Sequence, residues 1–171
     1  DNLASNINAV TDKIEFFSND TFLSFLPLSH VFERMGGHFS AFSMGCSIYY
    51  SEGIDKVADN MGEVKPTLML SVPRLYEKMY SRIREGLKSA PEIRQKLFWW
   101  AIDIGKKATV YKLSNKSLPL ILKLQHKIAD KLVYSKVKER VGGKLRFFVS
   151  GGAPLSKEIA ELSLEWRKRL Y

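Results

Sequence analysis

Two short segments carry residue types suited to ligand chemistry. The first is Leu145-Arg146-Phe147-Phe148-Val149-Ser150-Gly151-Gly152-Ala153-Pro154-Leu155, an apolar run that stops at two glycines, a small residue and a proline. It has the pattern of a strand that delivers its carboxyl end to a ligand. Gly151 and Gly152 lack a Cβ, so a flat ring or a phosphate can come close to the main chain, and Pro154 stiffens the loop beforehand. In open α/β sheets, small molecules bind in crevices beyond the carboxyl ends of strands. A tight strand-to-helix turn that needs glycine for geometry alone meets the same pattern. The second segment is Pro27-Leu28-Ser29-His30-Val31-Phe32-Glu33-Arg34. It follows a β-rich run, which puts His30 in a loop at a strand's carboxyl edge, where an imidazole hydrogen-bonds a carboxylate or takes a proton near neutral pH. Glu33 suits either a partner for His30 or an acid at a helix N-terminus. His38 and His126 have no acidic or sulfur neighbours at ligand spacing, so no metal site is expected.

The elements that must position these segments alternate in type. Asn2 to Phe17 has helical spacing of Leu3, Ile7, Val10 and Ile14, and Thr21 to Leu26 is a β-rich run stopped by Pro27. Helix over Arg34–Met44, strand over Cys46–Tyr50, helix over Ile54–Val64 and a buried strand over Thr67–Ser71 follow, with Pro73 placed to open the next helix. Three helical segments, about 73–88, 91–112 and 117–140, precede the strand Leu145–Val149 and a closing helix from Ser156. The class is therefore α/β, a mostly parallel sheet with helical crossovers. Residues 1–171 form a single α/β unit, in which 74–144 is a long basic helical insertion.

Composition narrows the partners. Of 171 residues 45% are hydrophobic and 12% aromatic, which excludes a disordered chain. Cys46 is the only cysteine, so no internal disulfide forms and a reducing, cytoplasmic location fits. No apolar stretch is long enough to span a bilayer, so neither a membrane span nor a secretion signal is expected in these residues. The net charge of +9 is unevenly placed: residues 1–73 carry −5 and residues 74–146 carry +13. Such a block draws anionic partners, whether nucleic acid, anionic lipid or polyphosphate, and also suits a solvated face. In the third helix Ile121, Leu124, Ile128 and Leu132 make one stripe, bordered by Lys116, Lys123, Lys127, Lys131 and Lys138. A lipid headgroup boundary asks for that arrangement, and so does a surface helix lying over a core. The neighbouring Ile93, Leu97, Trp100, Ile104, Ala108 and Tyr111 share helical spacing, broadened by Phe98 and Trp99. That spacing points to burial, which argues against an exposed stacking platform for nucleic acid.

The two segments, in order with Ser71-Val72-Pro73-Arg74-Leu75-Tyr76-Glu77-Lys78 between them, resemble the adenylate-forming synthetases, specifically the long-chain fatty acyl-CoA synthetases. The resemblance covers about residues 1–161. It implies a ligase that activates a fatty acid with ATP and Mg2+ to an acyl-adenylate, then transfers the acyl group to coenzyme A. It also implies an adenine shelf at Gly151, Gly152, Ala153 and Pro154, and His30 beside the acyl carboxylate. Phe32, Gly36 and Gly37 would border the acyl tunnel, where small residues leave room for a chain and an aromatic gates it. Some relatives carry tryptophan at the gate, where spacing puts Arg34 here.

The departures from that family pattern bear on activity. The family's phosphate loop ending in Pro-Lys-Gly belongs upstream of Asp1, and its Tyr-Gly-x-Thr-Glu segment belongs after the closing helix. Neither they nor the lysine-bearing C-terminal domain occur in these residues. Positioning and charge neutralisation supply most of the rate in adenylyl transfer. The chain is thus expected to be an internal fragment, inactive alone and holding no tightly bound cofactor, with 162–171 a tail outside the family pattern. The expected partners are a fatty acid and coenzyme A, with peripheral contact at an anionic membrane and no nucleic acid. A second reading is a noncatalytic α/β module that binds anionic membranes through its basic amphipathic helices.

Overall fold

A computed structural model describes residues 2–114, 116–154, 156 and 169–170. In chain order the elements are α1 (Asn2–Thr11), β1 (Thr21–Ser24), α2 (Phe32–Phe39, π-helical, running on through Ser40–Ser43), β2 (Ser47–Tyr50) and α3 (Val57–Val64). There follow β3 (Leu68–Ser71), α4 (Pro73–Lys88), α5 (Glu92–Leu113), α6, β4 (Phe147–Ser150) and the two-residue β5 (Arg169–Leu170). Helix α6 is continuous from Leu120–Ala129 through a π-helical turn, Asp130–Tyr134, to Ser135–Arg140. The expected closing helix and the 162–171 tail fall largely outside the described residues.

The sheet is wholly parallel, in the order β2-β1-β3-β4-β5. Successive strand residues point to opposite faces, so adjacent side chains serve different cores. Leu23, Met69 and Phe148 face α3 and α4, meeting Val57, Met61, Leu75 and Tyr76. Phe22, Leu68, Leu70 and Phe147 face the other way, against Phe16, Ala41 and Phe32. Strand β1 connects outward to β2 through α2 on one face, whereas β3 connects the opposite way to β4 through α4 on the other. Strands β1 and β3 therefore flank the point where the winding reverses, the place where α/β sheets open a crevice.

Between β3 and β4 the chain makes three helices. Only α4 packs on the sheet. Helices α5 and α6 form an outer layer around Phe98, Ala101, Ile104, Leu122, Ala129, Val133 and Tyr134, with the Tyr134 hydroxyl donating to the Ala101 carbonyl. The stripe expected from Ile93 is corrected here. Ile93 and Trp99 are exposed, whereas Ile104, Ala108 and Phe98 of the expected face are buried, joined by Ala101, with Leu97, Trp100 and Tyr111 packed at its margin. Small residues at 101 and 108 let α6 approach closely, so packing is set by Ala rather than by the bulkiest side chains.

At the amino edge, the residues that precede three strands are tied together. Asp20 Oδ1 accepts from Thr67 Oγ1 at 2.7 Å, and Asp20 Oδ2 accepts from the Phe17 N–H and from Arg146 Nη2, both at 2.8 Å. The Arg146 guanidinium also lies 4.4 Å from the Phe17 ring centroid. This buried knot pins the starts of β1, β3 and β4, and so registers their far ends.

Candidate functional site: the carboxyl edge of the sheet

Because the strands are parallel, β1, β3 and β4 all release their chains at one edge. The Gly151 N–H donates to the Ser71 carbonyl at 3.1 Å, which holds the glycine loop against the end of β3. Gly152 turns the chain at φ +83°, a left-handed conformation that favours glycine. A Cβ on Gly151 would stand 2.6 Å from Phe32 Cζ, so the ring of Phe32 lies directly on that backbone. The two segments singled out in the sequence, 119 residues apart at Phe32 and Gly151, thus meet at the winding reversal.

Two depressions open beside this contact. One, of about 410 Å3, is lined by Val72, Pro73, Arg74, Glu77, Gly151, Gly152 and Ala153. Its walls are glycine backbone with the apolar Val72, Pro73 and Ala153, and Arg74 and Glu77 bring its charge. The other, of about 450 Å3, runs between α1 and α2 and is bordered by Val10, Ile14, Phe32, Met35, Gly36 and Leu70, all apolar or small. A smaller gap beneath shares Ile14, Gly36, Leu70 and Val149 with it and reaches Phe22 and Phe147. Phe32 stands between a polar cleft and an apolar groove.

The expected site residues are distributed around these features. Gly151, Gly152 and Ala153 line the polar cleft, while Pro154 is exposed beyond it. Gly36 lines the groove. Gly37 is buried, where a Cβ would meet Phe22 Cζ at 2.7 Å, so its small size lets α2 sit on β1. His30 is exposed on the same edge, two residues before Phe32, with its Nδ1 accepting from the Phe32 N–H at 3.2 Å. Arg34 is exposed. Residues given no role from sequence also belong here. Arg74 and Glu77, one turn apart at the start of α4, enter the polar cleft. Their signal was the helix-opening Pro73, which fixes where the first turn points.

Glu33 takes a place different from either one the sequence suggested. It is fully buried, and its Oε1 accepts from Ser24 Oγ at 2.5 Å. Burial raises its pKa to about 7, partly offset by that hydrogen bond. Its Oε2 has no partner among the described residues. A carboxyl that burial makes reluctant to ionise therefore sits under the first turn of α2, beside Phe32.

Comparison with known proteins agrees with this geometry. The family model described as AMP-binding enzyme matches residues 1–170. Long chain acyl-CoA synthetase 6, peroxisomal, of Arabidopsis thaliana is 34% identical over 161 residues, 94% of this chain and 21% of that protein. Long chain acyl-CoA synthetase 7, peroxisomal, of the same plant is 32% identical over 160 residues, again 94% and 21%. The chain therefore spans about a fifth of the length of these relatives. Among solved structures, the adenylation domain of a carboxylate reductase from Mycobacterium chelonae superposes with a TM-score of 0.64 at 21% identity, covering 98% of this chain and 22% of that one. That likeness establishes the shared fold, with its parallel sheet flanked by helices. The family match over nearly every residue, and the meeting of its two marked segments at one sheet edge, make this chain a member of the AMP-binding enzyme family.

Proposed function

We propose that the intact protein containing this chain is an ATP-dependent long-chain fatty acid–CoA ligase. The observation that supports it most is the position of Phe32, whose ring rests on Gly151 and borders the apolar groove. A nucleotide in the polar cleft and an acyl chain in the groove would meet at that ring. The sequence relatives are named as long-chain acyl-CoA synthetases, which suits such a pairing. In this reading the fatty carboxylate oxygen attacks the α-phosphorus of ATP and pyrophosphate leaves. The thiol sulfur of coenzyme A then attacks the acyl carbon, AMP leaves, and the thiol proton is released.

The residues of this chain would bind and orient. Gly151, Gly152 and Ala153 would offer a flat shelf to the adenine, stiffened by Pro154. Arg74, at the lip, would stand near the phosphates. His30, at the start of α2, would face the acyl carboxylate, and Phe32 with Gly36 would shape the groove. Contacts to Mg2+ and coenzyme A would come from elsewhere in the intact enzyme. The test is ATP–pyrophosphate exchange by the intact protein with a long-chain fatty acid. Fatty-acid-dependent exchange is expected, and its absence from folded protein would overturn the reading.

One further contact of the intact enzyme has a specific observation behind it. On α6 the apolar stripe is not covered: Ile121 is 75% and Leu124 61% exposed, and Ile128 and Leu132 also face solvent. Lys123, Lys127 and Lys131 are exposed beside it, whereas Lys138 is paired with Asp130 at 2.6 Å. We infer peripheral binding of this face to an anionic membrane. No described helix is long and apolar enough to cross one. Charge-reversing Lys127 and Lys131 should each weaken flotation with phosphatidylserine vesicles by about 1 kcal/mol. Binding indifferent to lipid charge and to salt would reject the idea. A reducing compartment, cytoplasmic in the simplest case, suits the half-buried free thiol of Cys46.

A further inference from the structure

Away from the sheet edge, a cleft of about 270 Å3 opens between α4, α5 and α6. Leu87, Leu97, Phe98 and Val133 form its floor. Arg94, Lys136 and Arg140 stand on its walls, and no acidic residue lines it. Some cations of the same helices are paired, Lys96 with Glu92 at 2.9 Å, Lys107 with Asp103 at 2.7 Å, and Lys138 with Asp130, while Lys123, Lys127 and Lys131 stand exposed on the outer face of α6, away from this cleft. Arg94, Lys136 and Arg140 have no ion-pair partner among the described residues. Three unneutralised cations around an apolar floor hold a positive potential where water solvates the floor poorly.

Gly86 adds an independent observation. It lines the cleft from the last turn of α4, and nothing lies within 4 Å of where its Cβ would be. Its backbone is helical, so neither packing nor strain calls for glycine, which in a helix costs up to about 1 kcal/mol relative to alanine. With no side chain at this position, that wall of the cleft is open.

We propose that this cleft binds a single-chain anionic amphiphile, with the alkyl end on Leu87, Leu97, Phe98 and Val133 and the anionic head among Arg94, Lys136 and Arg140. The volume lies just under the lower end of small-molecule sites, about 300 Å3, which suits a chain segment rather than a nucleotide. A purely apolar ligand would leave the cations unmatched. A phosphate alone would leave the floor wet. The cleft shares no lining residue with the carboxyl edge, so the claim stands or falls apart from the ligase reading.

The experiment uses the intact protein without ATP or coenzyme A, and maps lysine acetylation by peptide mass spectrometry. The probe is dodecyl phosphate below its micellar concentration, with dodecyl maltoside as the uncharged counterpart. Lys136 labelling should fall about fivefold once the cleft is mostly occupied, while Lys123 keeps its labelling. Gly86→Trp, which has room for a ring in the cleft, should abolish the protection. Arg94→Glu combined with Arg140→Glu should do the same by removing the charge. Gly151→Val, altered only at the sheet edge, should retain it. The proposal is overturned by unchanged Lys136 labelling, by equal protection from dodecyl maltoside, or by protection that persists in Gly86→Trp. Equal shielding of Lys123 and Lys127 would overturn it too, by assigning the effect to lipid aggregates on the α6 face.

Discussion

At the amino edge of the sheet the buried Asp20 accepts three hydrogen bonds, from Thr67, the Phe17 N–H and Arg146, whereas at the carboxyl edge the buried Glu33 accepts one, from Ser24. The two carboxylates share the same sheet and are equally hidden from water. Asp20 has its counter-charge at 2.8 Å; Glu33 has an oxygen with no described partner. Ser150 Oγ, at the end of β4, is likewise buried without one. Apart from Arg146 Nε, which has no partner among the described residues, the polar groups of the amino edge close on one another and make a fixed joint. Groups left open at a strand edge keep hydrogen-bonding capacity in reserve, at a cost in stability that a ligand or neighbouring segment can recover.

The largest expected effect tests the closed joint. Asp20→Ala leaves the Arg146 guanidinium with the Glu15 carbonyl but without a counter-charge and frees Thr67, and removing one partner of a buried pair costs about 3–5 kcal/mol. Denaturant midpoints of the intact protein should drop accordingly, with fatty-acid-dependent exchange per folded molecule retained. Loss of exchange with unchanged stability would erase the distinction between the edges. Glu33→Gln tests the open edge through pH. The Glu33 pKa rises from 4.5 in the unfolded chain to about 7 in the fold, so the folded state holds the extra proton between those values. Stability from the neutral carboxyl is fully present below 4.5 and is lost as pH rises through 7. That shift corresponds to about 3 kcal/mol by linkage. Glutamine keeps the Ser24 hydrogen bond and cannot ionise. The variant should match the parent at pH 4.5 and exceed it at pH 8 by up to that amount, in paired denaturation series. Parallel curves would show that Glu33 is ionised in the fold.

These edges were not equally legible in the sequence. Parallel β-α alternation followed from period and punctuation, and Pro73 opens α4 where expected because its fixed φ suits a first helical turn. The meeting of Phe32 with Gly151 was anticipated only as a shared edge, since nothing in a single sequence gives the order of strands. Asp20, Thr67 and Arg146 passed unnoticed for the same reason: each is an ordinary residue before a strand, and only the strand order makes them neighbours. The sequence suits Glu33 to His30 or to a helix N-terminus because acids are rarely buried, a prior that a carboxyl under a π-helical turn defeats. The α6 stripe was visible but ambiguous. Its exposure depends on which face α5 covers, and that was decided by Ala101 and Ala108.

Gly151→Val narrows the comparison to the contact itself. The first added carbon would fall 2.6 Å from the Phe32 ring, which must swing away from the groove wall. Stability should change little, because the loop is half exposed. Exchange should fall by about a hundredfold, the usual consequence of displacing reacting groups by an ångström. A variant with full exchange would show that Phe32 does not partition nucleotide from acyl chain.

The smallest effect separates two adjacent glycines. A Cβ at Gly36 would approach Leu70 Cδ1 at 3.3 Å, a contact the flexible leucine can yield to, whereas at Gly37 it would strike the Phe22 ring at 2.7 Å. Gly36→Ala should therefore stabilise α2 by about 0.5–1 kcal/mol through helix propensity. Its methyl group would at the same time intrude on the groove. One added methyl in an apolar site is worth about 1–3 kcal/mol, so KM for a long-chain acid should rise at least about fivefold while stability goes up. Leu70→Val withdraws Cδ1 from that spot, and the double variant should recover most of the lost affinity, a coupling expected only between residues in contact. A rise in KM that Leu70→Val leaves untouched would place the acyl chain elsewhere. Gly37→Ala should lower stability instead, because Phe22 is held in the core and has nowhere to move.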